Sequence, residues 1–315
     1  MIPLLDIREV FSTLLGLFLL IGVGYLGAKT GVVPLSASKS LTSLLMNITM
    51  PATIFVSLVR PYDPAFVKEG LIIVGLGFFL FFSHCILNWG LSFLCRVGND
   101  RRGCWVLTTT FCNNGFMGFP IALALFGDEG LALAAFLGIP FNILVYTIGP
   151  KLAAMDRVSD GPEAKLSWRG VLFTMVNLAT LLGLIFYIGQ IPIPLALSEP
   201  LNYLSNVTTP LSMMITGMNL TLGSIRSVFR DKDLFSSAVL RLLGLPMLTY
   251  VTLCLLPIPD PIIVGVTLII LSMPSPAIAS ILTETYGGNK EFAAQSVFLS
   301  SLLCLVTIPL ISLLL

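Results

Sequence analysis

The chain has 315 residues, of which 56% are hydrophobic and only 10% are charged. This composition excludes an ordinary soluble domain and indicates an integral membrane protein that lies in the lipid bilayer. The net charge of +1 gives no reason to expect a nucleic-acid partner.

Ten apolar windows of about 20 residues, each long enough to cross a hydrocarbon core of about 30 Å, predict an all-α membrane protein with ten transmembrane helices. They lie near residues 8–28, 38–60, 67–95, 102–126, 128–152, 168–189, 200–223, 233–257, 260–285 and 291–314. The first window lacks a basic leading segment and a clear cleavage site, so we expect a spanning helix rather than a removed signal peptide.

The second and seventh windows contain the same spacing of asparagine and proline. Asn47 precedes Pro51 by four residues, and Asn206 precedes Pro210 by four residues. Proline removes a backbone donor and kinks a helix, so each asparagine amide is expected to satisfy backbone groups that the kink frees.

The fourth and ninth windows are interrupted by residues that form helices poorly. The fourth contains TTTFCNNGFMGFP at residues 108–120, and the ninth contains SMPSP at residues 272–276. Backbone that leaves the helix at membrane depth is tolerated only where it is buried in protein or lines a polar cavity. Packing kinks are the alternative interpretation, because glycine and proline are frequent in membrane helices.

The two halves of the chain resemble each other in sequence. A shift of 159 residues places residues 47–51 on 206–210, and a shift of 160 places residues 113–116 on 273–276. We therefore predict two five-helix repeats, residues 1–152 and 168–315, joined by a polar linker at 153–167. An odd number of spans in each copy makes the second copy inverted.

Charge sets the predicted orientation in the cell membrane. Most lysines and arginines of the loops lie on the same side as the linker. By the positive-inside rule the 153–167 linker is cytoplasmic and both termini are outside.

Interruptions at matching places in inverted copies are expected to meet near the membrane midplane. There the N-terminal ends of half-helices carry free N–H groups and partial positive charge, which favour an anion. The asparagines would donate from their amides, the glycines would allow close approach, and the prolines would keep the helices open. The candidate substrate-binding residues are Asn113, Asn114, Gly115, Gly118, Pro120, Ser272, Pro274, Ser275 and Pro276.

Enzymatic and metal-binding functions are not predicted. The chain lacks an HExxH pair and a GxSG motif with a partner histidine. Its six cysteines lack the paired spacing of a metal site or a disulfide framework, so we expect no metal and no cofactor.

The segments CNNGFMGFPIALALFG, MPSPAIASILTETYG and FAAQSVFLSSLLCLVTIPL resemble the auxin efflux carrier family, which includes the plant PIN auxin transporters and bacterial carriers of malonate and malate. The resemblance covers essentially the whole chain. It implies an elevator-type homodimer with a scaffold of spans 1, 2, 6 and 7. Spans 3–5 and 8–10 would form a mobile transport domain in which the crossed, broken spans 4 and 9 hold the substrate. Unlike the plant proteins, this chain has no long hydrophilic loop at its centre.

Four further residues are possible scaffold or coupling positions, and each has two interpretations. Glu284 corresponds to a glutamate of the plant proteins, and it is either a solvated carboxylate near the cytoplasmic mouth or a protonatable coupling site. Arg241 is expected to extend to the cytoplasmic surface, or else to attract substrate anions. In the family's architecture Asn47 and Asn206 would alternatively face the substrate path.

Together these features predict a secondary active or facilitative transporter of small organic anions, which are carboxylates such as malonate, malate or auxin-like acids. An anion channel would also use irregular backbone at the midplane, and a transporter-like membrane sensor is a third alternative. Two inverted halves suit alternating access better than a channel.

Overall fold

A computed structural model describes residues 7–156, 174–222, 228–258 and 260–315 of the chain. Every regular element in these ranges is helical, which confirms the all-α prediction for the described part. Six helical stretches there are long and apolar enough to cross a membrane. They are Arg8–Lys29, Ala37–Leu58, Pro64–Leu94, Arg102–Met155, Lys232–Leu255 and Lys290–Ser312.

The helices follow one another with short connections. In the first half they are α1 (Ile7–Lys29), α2 (Ala37–Leu44), α3 (Met50–Leu58), α4 (Pro64–Leu94), α5 (Arg102–Thr110), α6 (Phe119–Thr147) and α7 (Gly149–Met155). In the second half they are α8 (Met175–Gly189), α9 (Leu195–Asn219), α10 (Lys232–Val239), α11 (Leu245–Leu255), α12 (Pro261–Leu271), α13 (Ile278–Tyr286) and α14 (Lys290–Ser312). Wider π turns at Leu45–Thr49, Asn114–Gly118 and Leu240–Gly244 precede α3, α6 and α11, and the 3-10 turn Leu220–Leu222 follows α9.

An Asp-Pro pair sets the start of two helices. The Asp63 carboxylate accepts a 2.9 Å hydrogen bond from the Ala65 N–H at the start of α4, and the Asp260 carboxylate accepts a 2.7 Å bond from the Ile262 N–H at the start of α12. The proline that follows each aspartate has no N–H to leave unpaired in the first turn.

Glycines bring α1 and α9 into close contact. A Cβ atom at Gly24 would clash with the carbonyl of Met214, and one at Gly217 would clash with the carbonyl of Ile21. Small residues of this kind let the backbones of membrane helices approach each other.

The two halves are also linked to each other at the starts of α5 and α10. Trp105 on α5 is fully buried, and its indole N–H donates to the Asp233 carbonyl and to the Ser236 hydroxyl of α10, each at 3.0 Å. Beside it, Arg101 forms a 2.7 Å ion pair with Asp231. These contacts fix the start of α5 against the start of α10.

The helical path stops inside both predicted interruptions. α5 ends at Thr110 before the π turn that leads into α6, and α12 ends at Leu271 before α13 begins. The helical segment that follows each interruption leads to a glycine with positive φ. Gly127, inside α6, has φ 66° and ψ −160°, and Gly287, after α13, has φ 75°.

Two predicted boundaries differ from the structure. α7 continues to Met155 with Ala153 buried, so the first residues of the predicted 153–167 linker are helical. α9 begins at Leu195, earlier than the predicted 200–223 span, because the helix tolerates Pro200 in its interior. Residues 157–173, which include most of the predicted linker and the start of the predicted sixth span, lie outside the described residues.

Candidate functional site

The two interruptions touch each other. The backbone N–H of Asn113 donates a 2.7 Å hydrogen bond to the carbonyl of Pro274. This bond brings the ends of α5 and α12 and the starts of α6 and α13 to one place in the fold. The two interrupted segments that the sequence predicted to meet are therefore in contact at this hydrogen bond.

Asn113 also organises the turn that follows it. Its side-chain oxygen accepts a 3.3 Å hydrogen bond from the Phe116 N–H, and its carbonyl accepts a 3.0 Å bond from the Gly118 N–H. The side-chain oxygen therefore acts as an N-cap.

Two cavities open beside the crossing. The smaller, of about 360 Å³, is lined by Asn113, Asn114, Gly115 and Pro276 among the predicted residues. The larger, of about 620 Å³, also contains Asn113 in its wall. Four residues belong to both walls, which makes them the junction between the cavities: Asn113, Phe116, Asn219 and Ala277.

Asn114 has a polar atom without a protein partner. Its side-chain oxygen is buried and accepts no hydrogen bond from the described residues, although Asn114 lines the smaller cavity. A Cβ atom at Gly138 would lie 3.4 Å from the Asn114 Nδ2 atom, and one at Gly118 would lie 3.2 Å from the Oδ1 atom. The amide thus lies between two glycines. A buried amide left unsatisfied by protein indicates a place for water or for a ligand.

The other predicted substrate-binding residues do not line either described cavity. Those residues are Gly118, Pro120, Ser272, Pro274 and Ser275. The Ser272 hydroxyl donates 2.6 Å to the Leu268 carbonyl, and the Ser275 N–H donates 3.0 Å to the Ser300 hydroxyl. These serines support the backbone of the second interruption.

Gly118 and Pro120 contribute to helix packing and to the start of α6 rather than to a cavity wall. A Cβ atom at Gly118 would lie 2.9 Å from the Ile270 side chain, so glycine allows α12 to pack closely against the turn. Pro120 is buried at the start of α6, where a missing N–H costs little.

The prediction that Arg241 extends to the membrane surface is wrong. Arg241 is fully buried, and its guanidinium donates to the carbonyls of Thr109 at 3.1 Å, Thr110 at 2.9 Å and Met273 at 3.0 Å, and also to Leu271. The last carbonyls of a helix have no partner within the helix, so they need one from elsewhere in the protein when they are buried. One arginine therefore serves the C-terminal ends of both α5 and α12.

Glu284 is at the surface. Its side chain is 72% exposed, with the Lys290 ammonium 3.9 Å from a carboxylate oxygen. This position agrees with the solvated interpretation.

Asn47 and Asn206 are also exposed. The Asn47 amide donates 3.0 Å to the Ser43 carbonyl one turn earlier. Neither asparagine lines the two cavities at the crossing.

Several residues of the cavity walls were missed from the sequence. The smaller cavity contains Asn142, Tyr146, Thr174 and Asn219. The Asn142 amide donates 2.6 Å to Asn177 on α8, and the Ser38 hydroxyl donates 2.7 Å to Asn219. Asn142 stands alone in an apolar run, and a polar residue inside a membrane span was the signal that could have identified it.

The chain matches the membrane transport protein family over residues 9–159 and 163–312, which is nearly its whole length. The protein belongs to this family, the auxin efflux carriers. It is therefore a multi-pass membrane transporter, and the resemblance found in its broken spans is confirmed.

Three curated relatives are similar to this chain at identities of 24–29%. An uncharacterised transporter of Methanothermobacter thermautotrophicus is 29% identical over 75% of this chain and 76% of its own. An uncharacterised transporter of Methanocaldococcus jannaschii is 26% identical over 67% and 72%, respectively. A Rhizobium meliloti protein named "Putative malonate transporter" is 24% identical over 95% of this chain and 94% of its own.

Proposed function

We propose that this transporter carries small organic anions, in particular carboxylates, by an elevator form of alternating access. The observation that carries the proposal is the hydrogen bond from Asn113 to Pro274, which holds two interrupted helices together beside a cavity of about 360 Å³. The proposed binding residues are those of the crossing that line this cavity: Asn113, Asn114, Gly115 and Pro276.

Helix ends supply the attraction for an anion. The turn that leads into α6 and the first residue of α13, Ile278, both lie at the cavity wall. The N-terminal end of a helix carries partial positive charge. Some of the first N–H groups here already have partners, since Phe116 donates to the Asn113 side chain and Ala279 donates to the Pro276 carbonyl. The described wall residues of this cavity include no lysine, arginine or histidine. An anion would therefore be held by backbone dipoles and asparagine amides, as at other helix N-termini.

The structure also supports the prediction of two inverted five-helix copies with ten spans. α5 and α12 stop at matching places, and the pieces that follow are each succeeded by a glycine with positive φ, Gly127 and Gly287. The shift of 160 residues that aligns the interruptions also aligns these two glycines.

The proposed scaffold consists of α1–α3, α8 and α9, and the proposed transport domain of α4–α7 and α10–α14. The close packing of α1 and α9 at Gly24 and Gly217 suits a rigid scaffold. A homodimer, outward termini and a cytoplasmic 153–167 linker complete the proposal.

Carboxylates are favoured as substrates for two reasons. The helix ends suit a compact anion, and the name of the rhizobial relative assigns a dicarboxylate, malonate, to that protein. The apolar part of the wall would contact a larger organic body. It includes Phe116, Phe119, Phe141, Val145 and Ile281.

Transport in proteoliposomes tests the proposal. We expect the purified protein to exchange radiolabelled malonate or indole-3-acetate with a rate that saturates with concentration, and Asn114→Ala to reduce that exchange about tenfold. Conductance that rises without saturation would indicate a channel instead. Exchange of neither anion above empty liposomes, in protein that is folded by its thermal transition, would contradict the proposal.

A further inference from the structure

The crossing contains one buried cation that neither described cavity includes. Arg241 lies on the π turn Leu240–Gly244, and its guanidinium donates hydrogen bonds to backbone carbonyls at and just after the C-terminal ends of α5 and α12. No carboxylate of the described residues lies within 4 Å of its guanidinium. An arginine stays charged in proteins, so its charge must be compensated by these carbonyls.

The charges of the helix ends can be counted. Each helix end carries roughly half an elementary charge, positive at the N-terminus and negative at the C-terminus. Two C-terminal ends, those of α5 and α12, therefore contribute roughly −1, and the Arg241 guanidinium contributes +1 at the same place. The N-terminal ends that precede α6 and α13 are left with roughly +1 between them.

We propose that Arg241 neutralises the carbonyl ends of both broken helices and thereby leaves the crossing with a net positive charge that attracts an anion. Without Arg241 the four helix ends would cancel, and the cavity would offer hydrogen bonds but little net attraction for an anion. Arg241 is thus a positioning and charge-compensating residue that does not touch the ligand. This inference rests on the proposed transport of organic anions.

Asn114 independently indicates that the smaller cavity holds a ligand or a water. Its side-chain oxygen is buried without a partner among the described residues, while Asn114 lines the cavity at the N-terminal side of the crossing. An amide oxygen only accepts hydrogen bonds, so its partner there is a donor, such as an O–H or N–H group, and not the carboxylate itself. Neutral amides beside helix N-termini can orient a carboxylate but add no charge to the site. The net positive charge of the site must therefore come from Arg241, which cancels the negative carbonyl ends of α5 and α12.

The test separates charge from shape. Binding of indole-3-acetate and of indole-3-acetamide, and of malonate and of malonamide, is measured by calorimetry on the purified protein in detergent. Each acid and its amide have similar shapes, so the ratio of their affinities reports the charge of the site. We expect the unmodified protein to prefer an acid over its amide, and Arg241→Gln to reduce this preference about tenfold with amide affinity unchanged.

Two further variants complete the experiment. Arg230→Gln removes an exposed cation near the start of α10, away from the crossing, and should leave the preference unchanged. Arg241→Lys keeps the charge but cannot reach all four carbonyls, and it should retain the preference with lower thermal stability. If Arg241→Gln does not fold, loss of the acid preference in Arg241→Lys would overturn the inference.

The outcomes distinguish this inference from the proposed function. Equal weakening of acid and amide by Arg241→Gln would show a purely structural arginine and would overturn the inference, while anion transport would still stand. No preference for either acid in the unmodified protein, together with no anion exchange in liposomes, would overturn both.

Discussion

The backbone N–H of Asn113 lies 2.7 Å from the carbonyl oxygen of Pro274, and this hydrogen bond joins an interruption in the first half of the chain to one in the second half. The neighbouring asparagine has a different environment. The Asn113 side-chain oxygen accepts from the Phe116 N–H, whereas the Asn114 side-chain oxygen has no partner among the described residues. The two residues should therefore respond differently to the same substitution.

Asn113→Ala should lower the free energy of unfolding by about 1 kcal/mol, because it removes an N-cap. Asn114→Ala should change stability by less than about 0.5 kcal/mol, because it removes a buried group that the protein leaves unpaired. Both should weaken binding of the transported anion. Thermal unfolding in detergent, with and without malonate or indole-3-acetate, measures both effects.

Asn99→Ala is the matched control, since Asn99 is exposed in the loop before α5. It should leave stability and ligand-induced stabilisation unchanged. Equal destabilisation by Asn113→Ala and Asn114→Ala would show that the Asn114 amide is satisfied within the protein, contrary to the assignment above.

Gly127 has a backbone conformation, φ 66° and ψ −160°, that is essentially restricted to glycine. A Cβ atom there would meet nothing within 4 Å, so any cost of Gly127→Ala comes from the backbone alone. We expect a loss of about 1–3 kcal/mol in the free energy of unfolding. Gly75→Ala on α4 is the control, because Gly75 also has open space around it but is helical. That change should be neutral or stabilising; similar losses in both variants would argue against strain at Gly127.

The sequence predicted the fold correctly where the residue types themselves determine whether the backbone is helical. Pairs of asparagine, glycine and proline correctly marked the places where α5 and α12 stop, because such residues oppose a helix whatever surrounds them. The family was also readable, because the same interrupted segments carry the resemblance.

Arg241 shows what local reasoning could not provide. Its place about eight residues into the eighth predicted span suggested that its long side chain reaches the surface. Its partners instead include Thr110, at the end of α5, and Met273, just after α12. Only the tertiary arrangement creates two unsatisfied carbonyl ends at one place. The same holds for Asn142 and Asn219, which become cavity residues through the packing of helices that are distant in sequence.

Gly217 on α9 has no room for a side chain, because a Cβ atom would clash with the Ile21 carbonyl of α1. Gly217→Ala must therefore separate the two helices, and we expect a loss of about 1–3 kcal/mol or more. The thermal transition in detergent measures the change. Gly22→Ala on α1 has open space and should not lower stability. An unchanged transition for Gly217→Ala would show that α1 and α9 are not in close contact in solution.

Asp156 follows α7 and is 2% exposed, and its carboxylate accepts hydrogen bonds from the N–H groups of Gly103, at 2.7 Å, and Cys104 at the start of α5. Burial raises the pKa of the Asp156 carboxyl to about 6, from 3.8, although these two bonds favour the ionised form. The folded state therefore binds a proton more readily than the unfolded state between these values. Stability should be greatest below about pH 4 and should fall as the pH rises through about 6, by about 3 kcal/mol in all.

Asp156→Asn tests this sign, because asparagine does not ionise. It should lower stability at pH 4 by about 1 kcal/mol, since its amide nitrogen cannot accept the second hydrogen bond. The difference between the two proteins should then shrink or reverse as the pH rises to 7, when the aspartate is ionised and buried. Thermal unfolding between pH 4 and 8 measures the difference, with Asp128→Asn at an exposed position as the control that should follow the unmodified protein. A difference that grows with pH would mean that the hydrogen bonds to α5 outweigh the cost of burying the charge.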